Sequence, residues 1–300
     1  PTSSESVETS QFLNGKRFKI GKTAYGGVVG RSSAIIVLNK IPDCIHLNKN
    51  TGRIFGLFLA EGHSTGQAIE WTFNIKERFT LASELESLLI SEWGCESRIT
   101  ENSNKKVCRV RVHGKAWALL FEGMCGTGSG KKCPHGSLMS SPIDCQKSLF
   151  EGWMSGDGYA RRNGRQGVTV SHRLAMSMYN IAQGLGMRPT IRYSEPKISH
   201  GVKSRLPRWD IEMGLSGEET FSCELDDSHM WRKVRGIETE DYEGPVYNME
   251  VEGDHSYVAE GIGVHNCVGH ACWQFQVSDP IHSDSKIGPF DIWGEARKID

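Results

Sequence analysis

The chain has 300 residues, of which 38% are hydrophobic, and its formal net charge is −1. This length suits two or three domains, and the hydrophobic content is sufficient for packed cores. A charge near zero excludes a uniformly basic nucleic-acid-binding surface, so any affinity for DNA must come from local basic patches. No apolar run in the sequence reaches membrane-spanning length, so no membrane partner is expected.

The nine cysteines have no regular spacing, and the polar N-terminus PTSSESVETS lacks the apolar core of a signal peptide. Both features favour a reducing, cytoplasmic setting over a disulfide framework. A bacterial or phage-encoded protein is expected. The spacings among Cys125, Cys133, His135 and Cys145 fit no usual pair of zinc ligands, so we interpret them as free thiols and a histidine in a linker. The start at Pro1, with neither Met nor a reactive Cys or Ser, predicts a fragment.

Residues 1–45 carry the weakest structural signal. Pro1–Ser10 is polar and is expected to be disordered. Ala34–Leu38 (AIIVL) is a short apolar run typical of a buried strand. The glycines of TAYGGVVG predict turns rather than a phosphate loop, because no GxxxxGK[ST] pattern occurs.

Two similar decapeptides follow, RIFGLFLAEG at residues 53–62 and LFEGWMSGDG at residues 149–158. Each predicts an apolar helix in which a glycine precedes an acid by five residues and another glycine follows at once. A core helix ending at a glycine C′ position would explain either decapeptide alone. However, each places a carboxylate in the last helical turn, where the helix dipole disfavours it. Glu61 and Asp157 are therefore candidate functional residues.

Each decapeptide heads a segment with the same order of predicted elements. Ala68–Ile75 alternates as a strand does, and the leucines of residues 81–89 give a helical stripe that stops at Gly94. Gln166–Ser171 likewise predicts a strand, and a second helical stripe stops at Gly186. A further strand is predicted five residues after each of these two glycines. We interpret this pattern as an internal duplication, and hence as a pseudo-two-fold domain.

Residues 46–215 resemble the LAGLIDADG (DOD-type) homing endonucleases found inside inteins, on the basis of these two decapeptides. The resemblance implies two repeats, at about 53–115 and 149–215, whose motif helices pack side by side on a pseudo-dyad. Gly56 and Gly152 would permit that close approach. Because one chain then supplies both halves of the domain, a monomer is expected.

In that family the acids at the two helix ends, here Glu61 and Asp157, are the catalytic metal ligands. The resemblance therefore implies a Mg²⁺ cofactor and a double-stranded DNA substrate, which is the intein-free site in the host gene. The chemistry is consistent, because hard carboxylate oxygens suit Mg²⁺ and a metal-activated water can attack a phosphodiester. The family also has a catalytic lysine, which we match to no position in this sequence.

The stretch KKVCRVRVH predicts a strand with basic side chains at alternating positions. Arg109, Arg111 and His113 share one face, and Val110 and Val112 share the other. One face would then meet DNA phosphates or base edges while the other covers the helices. Further candidates for DNA contact are Arg161, Arg162, Arg165, Arg192, Lys203, Arg205 and Arg208. For each of these taken singly, a solvated strand edge is the simpler interpretation.

After about residue 216 the pattern changes to short strands. They are predicted at Val234–Glu238, Val246–Val251 and Ser256–Ala259, with turns between them. The last strand is followed closely by the sequence VHNC.

The tripeptide His265-Asn266-Cys267 is suited to backbone cleavage. The side-chain amide of Asn266 can attack its own carbonyl carbon, close a succinimide ring and release Cys267 as a new N-terminus. The amide is a poor nucleophile and the peptide nitrogen is a poor leaving group, so both need acid–base help. His265 and His255 are suitable groups near neutral pH.

Residues 246–267 resemble the C-terminal splicing blocks of inteins, on the pattern VYN-x-EVE-x-x-HSYVAEG-x-x-VHNC. The resemblance implies an all-β Hint (Hedgehog/intein-type) splicing domain that includes residues 216–266, with the endonuclease inserted in it. Residues 1–45 would be a linker or a remnant of that domain. Its N-terminal blocks, with the first nucleophile, are not visible before Ile54.

In such a domain Cys267 is the acceptor thiol, Asn266 cyclises, His265 assists departure and His255 activates the Asn266 amide, without a cofactor. Residues 267–300 would then begin the C-extein of the host protein. Their first residues, CVGHACW, resemble the helix opening that carries the nucleophile of papain-like cysteine peptidases. A thiolate at a helix N-terminus is stabilised by the helix dipole.

The sequence therefore predicts an α+β protein in which a pseudo-two-fold endonuclease domain accompanies a splicing region and a short extein tail. The predicted function is protein splicing combined with homing endonuclease activity, with double-stranded DNA and host extein sequences as partners. Two alternatives stay open: a LAGLIDADG DNA-binding protein without nuclease activity, and a cysteine peptidase whose catalytic thiol is Cys267. A Hedgehog-like autoprocessor is disfavoured, because Asn followed by Cys is the intein arrangement.

Overall fold

The computed structural model divides into two compact units, Pro1–Glu218 and Glu219–Asp300. In the first unit the structure describes residues 5–13, 21–25, 34–38, 40–162, 164–196, 198–199, 202–203 and 206–214. In the second it describes residues 223–225, 230–232, 234, 239, 241–244, 247–249, 251, 256–259, 262–265 and 296–298. Helices and antiparallel sheets occur together in the first unit, which confirms the predicted α+β class.

The residues before the first long helix form two small antiparallel sheets. Their elements are β1 (Ser6–Glu8), α1 (Ser10–Leu13), β2 (Gly21–Tyr25), β3 (Ala34–Leu38) and β4 (Cys44–His46). β2 pairs with β3, so the strand predicted at Ala34–Leu38 is confirmed. β1 pairs with β4, and Val7 and Ile45 lie opposite each other in the core. The expectation of disorder for Pro1–Ser10 is therefore wrong from Ser6 onwards, because this polar segment contributes one apolar side chain and a ladder of backbone hydrogen bonds.

The two halves of the remaining first unit have the same organisation. The first half contains α2 (Lys49–Glu61), β5 (Gly62–Ser64), β6 (Ala68–Asn74), α3 (Ser83–Trp93), β7 (Arg98–Asn102), β8 (Val107–His113) and α4 (Lys115–Cys125). After the short α5 (Gly136–Met139), the second half contains α6 (Ile143–Asp157), β9 (Gly158–Arg161), β10 (Gly164–Thr169), α7 (His172–Gly184), β11 (Pro189–Ser194), β12 (Ile198–Ser199), β13 (Val202–Lys203) and β14 (Arg208–Gly214). The four-stranded sheets have the orders β5-β6-β8-β7 and β9-β10-β14-β11, which are equivalent in the two halves.

Equivalent strand registers support the internal duplication. Gly62, directly after Glu61, lies opposite Trp71, and Gly158, directly after Asp157, lies opposite Gly167. The helix α3 ends where the sequence predicts, at Gly94, which adopts the left-handed conformation at φ 58. Gly186 likewise has a φ of 76 just beyond α7. The order of elements inferred from the sequence pattern is thus present in both halves.

The motif helix α2 is longer than the decapeptide that predicted it. It begins at Lys49 because Asn48 caps it, accepting hydrogen bonds from the backbone nitrogens of Asn50 at 2.8 Å and Thr51 at 3.0 Å. The Thr51 hydroxyl accepts from the Asn48 backbone at 2.9 Å and completes a capping box. A threonine takes the place of the usual Glu or Gln in that box.

The helix α4 was not among the predicted elements, yet it fills the core of the first half. Its Phe121 ring packs against Phe55 and Phe58 of α2 with centroids 5.0 and 4.8 Å apart, and against Trp71 at 5.5 Å. All four side chains are buried. An almost entirely apolar helix gives little periodic contrast, which is why its sequence does not identify it as amphipathic.

Helices α2 and α6 cross with almost no space between their backbones. A Cβ on Gly56 would lie 2.2 Å from the Leu149 carbonyl oxygen and 2.9 Å from the Gly152 Cα. A Cβ on Gly152 would lie 2.8 Å from the Arg53 carbonyl oxygen. The predicted side-by-side packing at these two glycines is therefore present, and no larger residue fits there without separating the helices.

The glycines that follow the two acids do not act as left-handed helix caps. Gly62 has φ −89 and Gly158 has φ −104, so the chain passes from each helix directly into a strand. Added Cβ atoms would instead collide with the Phe58 ring and with the Met154 carbonyl oxygen. These glycines are required by tight packing at the exit of each helix.

The described residues of the second unit form short strands. These are β15 (Cys223–Leu225), β16 (Met230–Arg232), β17 (Tyr247–Met249), β18 (Ser256–Ala259), β19 (Ile262–His265) and β20 (Ala296–Lys298). β18 is confirmed as predicted, and β17 lies within the predicted Val246–Val251. Val234 is not in a strand, and the rest of the strand predicted at Val234–Glu238 lies outside the described residues. Within the described part of the chain, no helix combines the length and hydropathy needed to cross a bilayer.

Substituting Gly56→Ala should destabilise the first unit by about 1–3 kcal/mol or more, because the methyl group would overlap the Leu149 carbonyl and force α2 and α6 apart. Thermal unfolding measures the loss. Gly184→Ala is the matched control, because its Cβ would meet no atom within 4 Å and the change should be neutral or slightly stabilising. Equal melting temperatures for the two variants would contradict the close-packing account.

Candidate functional site

The two candidate acids lie together at one end of the helix pair. Glu61 is the last residue of α2, and Asp157 is the last residue of α6. A Cβ on Gly156, the residue before Asp157, would lie 2.9 Å from Oε1 of Glu61. The Trp153 indole nitrogen donates to Oδ2 of Asp157 at 3.1 Å and fixes that carboxylate. The glycine crossing of the helices therefore brings the two carboxylates into one site.

Negative charge is unfavourable at this site, because the pKa values of both carboxyl groups are raised. Burial, with a smaller contribution from the neighbouring Glu61, raises the pKa of Asp157 to about 7, although Lys132 and the Trp153 hydrogen bond act in the opposite direction. Burial also raises the pKa of Glu61, with a smaller contribution from Glu77. Two partly buried acids that repel each other are stabilised in their charged forms by a cation.

Lys132 supplies one positive charge at the same place. Its Nζ donates to the carbonyl oxygens of Phe58 and Ala60, each at 3.0 Å, and lies 5.9 Å from the centroid of the Phe58 ring. These carbonyls belong to the last turn of α2, where the helix dipole favours a cation. Burial lowers the pKa of Lys132, whereas Asp157, Cys125 and Glu61 raise it.

The sequence did not identify Lys132 as a site residue. It lies in the loop after α4 and next to Lys131, without a periodic pattern that separates the two. The loop is folded back by hydrogen bonds from the Cys133 nitrogen to the Cys125 oxygen at 2.9 Å and from the His135 nitrogen to the Met124 oxygen at 2.8 Å. This folding points Lys132 at the end of α2, and no local feature of the sequence predicts it.

The donor set at the helix ends fits a hard divalent cation. Mg²⁺ is typically held by one or two carboxylates, with waters and substrate phosphates completing its coordination. Glu61 and Asp157 provide two such carboxylates. Among the described residues no group of three or more His, Cys, Asp or Glu side chains forms a metal cage, so the remaining ligands would come from solvent and substrate. Cys125, Cys133 and Cys145 are free thiols as predicted. The predicted linker location is wrong for two of them, because Cys125 is the last residue of α4 and Cys145 lies in α6.

The sheet of the first half presents its basic residues as predicted. Side chains along β8 alternate, with Val110 and Val112 fully buried and Arg109, Arg111 and His113 on the open face. The alternation inferred from the sequence is therefore confirmed. Burial and the nearby Arg111 and Arg98 lower the pKa of His113, whereas Glu70 raises it.

The predicted basic residues of the second half contact two different acids, Glu212 of β14 and Glu151 of α6. Arg161 and Arg192 each pair with Glu212, at 2.7 and 2.8 Å. Arg165 instead makes two hydrogen bonds of 2.8 Å to the Glu151 carboxylate of α6. Arg165 and Gly167 are two residues apart in β10 and therefore face the same side of the sheet. A Cβ on Gly167 would meet Trp153 of α6, so Arg165 lies on the side that is covered by α6. The exposed Arg162 follows β9.

Two carboxylates on these faces were not singled out from the sequence. Glu70 of β6 lies among Arg109, Arg111 and His63, and Asp210 of β14 contacts Arg208 at 3.1 Å. Asp210 is fully buried. Of the other candidates, Lys203 lies in β13, and Arg205 lies outside the described residues.

The predicted splicing residues are only partly placed. His265 is the last residue of β19. His255, Asn266 and Cys267 lie outside the described residues, as do residues 268–295 of the predicted extein. Their roles stay predictions.

Comparison with known proteins gives relatives of several kinds, while no protein-family model matches the chain. It is 29% identical over 257 residues to the ATP-dependent DNA helicase Hel308 of Thermococcus kodakarensis, covering 77% of this chain and 23% of that protein. It is 26% identical over 258 residues to an iron–sulfur cluster assembly SufBD family protein of Mycobacterium tuberculosis, covering 81% and 30%. It is 22% identical over 269 residues to a DNA polymerase of Thermococcus hydrothermalis, covering 73% and 16%. The chain therefore spans less than a third of each of these relatives.

Similar solved structures include variants of the homing endonuclease I-DmoI, with a TM-score of 0.43, 14% identity, and coverage of 56% of this chain and 90% of that chain. I-DmoI in complex with DNA and Mn gives a TM-score of 0.42 at 14% identity, covering 57% and 92%. The N-terminal LAGLIDADG domain of DUF199/WhiA gives a TM-score of 0.36 at 9% identity, covering 55% and 75%.

Asp157→Asn should raise the melting temperature of the metal-free protein at pH 8 and leave it nearly unchanged at pH 4. The folded state raises the pKa of this carboxyl from 3.8 to about 7, so its protonated form stabilises the fold below pH 4 and that contribution is lost as the pH rises through 7. Thermal unfolding in EDTA at both pH values measures the difference.

Asp144→Asn is the matched control, because Asp144 is an exposed acid in the first turn of the same helix. It should produce no gain at pH 8. An Asp157→Asn effect of the same size at both pH values would contradict a raised pKa.

Proposed function

We propose that this chain is part of an intein that carries a site-specific, Mg²⁺-dependent endonuclease for double-stranded DNA. The observation that carries the nuclease proposal is the convergence of Glu61, Asp157 and Lys132 at one end of a helix pair, beside strands with arginine-bearing faces. Two acids and one lysine suit phosphodiester hydrolysis, in which negative charge on the reacting phosphate has to be neutralised.

In this proposal the two acids are the metal ligands. Mg²⁺ bound by Glu61 and Asp157 would supply charge neutralisation at the scissile phosphates and an activated water. The Trp153 indole holds the Asp157 carboxylate in a fixed orientation. Lys132 is anchored to two carbonyls of α2, so its ammonium group offers positive charge to the phosphate without having to be reordered. The equivalent positions of the acids in the two halves suit the cutting of one strand by each.

The sheet faces support a nucleic-acid partner. Strands β8 in the first half and β9 and β11 in the second carry arginines whose side chains are 38 to 56% exposed. Arg109 and Arg111 lie on the first sheet, and Arg161 and Arg192 on the second. A two-stranded or larger β surface with basic side chains can contact phosphates and base edges of a duplex.

The relatives support an inserted element. By their names a helicase, an iron–sulfur assembly protein and a DNA polymerase have different activities, yet 77, 81 and 73% of this chain is matched in them. The matched segment makes up only 23, 30 and 16% of those proteins. A segment shared by otherwise different proteins is expected of an insertion rather than of a domain that serves one host activity.

The splicing proposal rests on the sequence VHNC and the β-strands before it. Asn266 would cyclise and break the Asn266–Cys267 peptide bond. Its side-chain nitrogen bonds to its own carbonyl carbon, and the Cys267 nitrogen leaves with a proton that His265 supplies. His255 would remove a proton from the attacking amide. Cys267 then becomes the first residue of the released segment.

Mg²⁺-dependent cleavage should depend on both acids. The test substrate is a plasmid that carries the host gene joined without the inserted segment. Glu61→Gln or Asp157→Asn should each slow linearisation by at least about 10²-fold, because each removes a charged oxygen ligand. Asp144→Asn is the charge-matched control and should cut normally. Undiminished cutting by the Glu61→Gln/Asp157→Asn double variant would refute the metal role.

Release of Cys267–Asp300 should require Asn266. Mass spectrometry after incubation at neutral pH should detect the released segment from the unchanged chain and none from Asn266→Ala, because alanine has no amide to close the ring. Asn102→Ala, far away in the sequence, should cleave normally. Continued release from Asn266→Ala would remove the splicing assignment.

A further inference from the structure

The second strands of the two sheets carry different residues at one pair of equivalent positions. Glu70 on β6 and Gln166 on β10 both lie nine residues after the acid of their own half. The strand after each acid places His63 opposite Glu70 and Tyr159 opposite Gln166. The two halves therefore share a backbone frame at this point, but the first carries a carboxylate there and the second an amide.

In the first sheet the central carboxylate is surrounded by basic side chains. One oxygen of Glu70 lies 3.3 Å from Nε of Arg109 and 3.6 Å from Nε2 of His63. The other oxygen lies 3.8 Å from Nη1 of Arg111. Only 13% of the Glu70 side chain is exposed, whereas each arginine is 38% exposed. The acid thus lies beneath the arginines, and the guanidinium groups form the outer layer.

In the second sheet the buried carboxylate, that of Asp210, lies on the neighbouring strand β14 instead. Gln166 donates its amide to Oδ1 of Asp210 at 2.7 Å, and Arg208 and Arg192 approach Oδ2 at 3.1 and 3.6 Å. Asp210 is 0% exposed, whereas the arginines are 53 and 56% exposed. Arg192 also bonds Glu212 through the same terminal nitrogen, Nη2. Here too a covered acid lies beneath exposed guanidinium groups.

These acids are not explained by attraction to phosphate. Non-specific DNA affinity grows with the number of positive charges that replace counterions, so a carboxylate among the arginines reduces it. What a covered carboxylate does provide is a fixed orientation. A guanidinium group has five N–H donors in a planar fork, so an acid that holds it through one nitrogen leaves other donors for a second partner. Bidentate contact with guanine O6 and N7 needs this kind of oriented fork.

We propose that Glu70 and Asp210 are positioning residues for sequence recognition, holding Arg109 and Arg111 on one sheet and Arg192 and Arg208 on the other for contact with base edges. This inference rests on the proposed function as a DNA-binding enzyme. Each acid governs base preference in the half of the target that its own sheet contacts. Neither acid belongs to the proposed metal site at Glu61 and Asp157.

The experiment measures binding to duplexes with a randomised core, without Mg²⁺, followed by sequencing of the bound fraction. The unchanged protein should enrich a consensus. For Glu70→Gln and Asp210→Asn, the ratio of consensus to shuffled-duplex affinity should fall about 10-fold or more, with each variant losing preference in a different half. Affinity for the shuffled duplex should stay equal or rise, because each variant removes one negative charge.

Glu101→Gln is the matched control. Glu101 pairs with Arg78 at 3.2 Å. Its neighbour Thr100 lies opposite Arg109 on the open face, so Glu101 lies on the other face of β7. It should raise shuffled-duplex affinity without changing the consensus. Arg192→Lys and Arg208→Lys keep the charge and lose the fork, so they should reproduce the Asp210→Asn loss even if that buried substitution impairs folding.

A consensus that is unchanged in Glu70→Gln and in the two arginine variants would overturn the inference alone. An equal loss of affinity for all duplexes, together with a lower melting temperature, would assign these acids to stability and also overturn it. Absence of duplex binding by the unchanged protein would remove the proposed DNA function as well.

Discussion

The close crossing of α2 and α6 is the constraint on which the rest of the first unit depends. At Gly56 and Gly152 the two backbones are in contact, and an added Cβ on either would approach the partner helix within 2.9 Å. Because the two backbones touch at this crossing, the last residues of the helices lie close together. The acids Glu61 and Asp157 therefore share a site, and the sheets that follow directly from them extend from that site.

The same geometry makes the site electrostatically demanding. Partly burying two carboxylates raises the pKa of both, and the end of α2 adds the negative pole of its dipole. Lys132 offsets part of this charge through its contacts with the last carbonyls of α2. A site that is short of positive charge and rich in oxygen donors is suited to a hard cation.

The two halves share connectivity and differ in the chemistry of their open faces. In the first half the covered acid is on β6 and the arginines are on β8. In the second half the covered acid is on β14 and the arginines are on β9, β11 and the start of β14 itself. A duplicated frame thus carries two different charge patterns. Under the proposed function, such a difference would let one chain distinguish the two halves of an asymmetric DNA target.

The sequence by itself determined the features that depend on local periodicity. The two helices with terminal acids, the alternation along β8 and the glycine that ends α3 all follow from residue types at fixed spacing. Only the tertiary structure decided which distant groups meet. Lys132 reaches a carbonyl 72 positions away, and Gln166 reaches Asp210 across 44 positions. Such contacts depend on how a loop folds back and how strands are ordered, and neither is encoded by the spacing of residues near either partner. The strand Ser6–Glu8 was missed because it depends on pairing with a distant strand, and the helix α4 was missed because its mostly apolar sequence gives little periodic contrast.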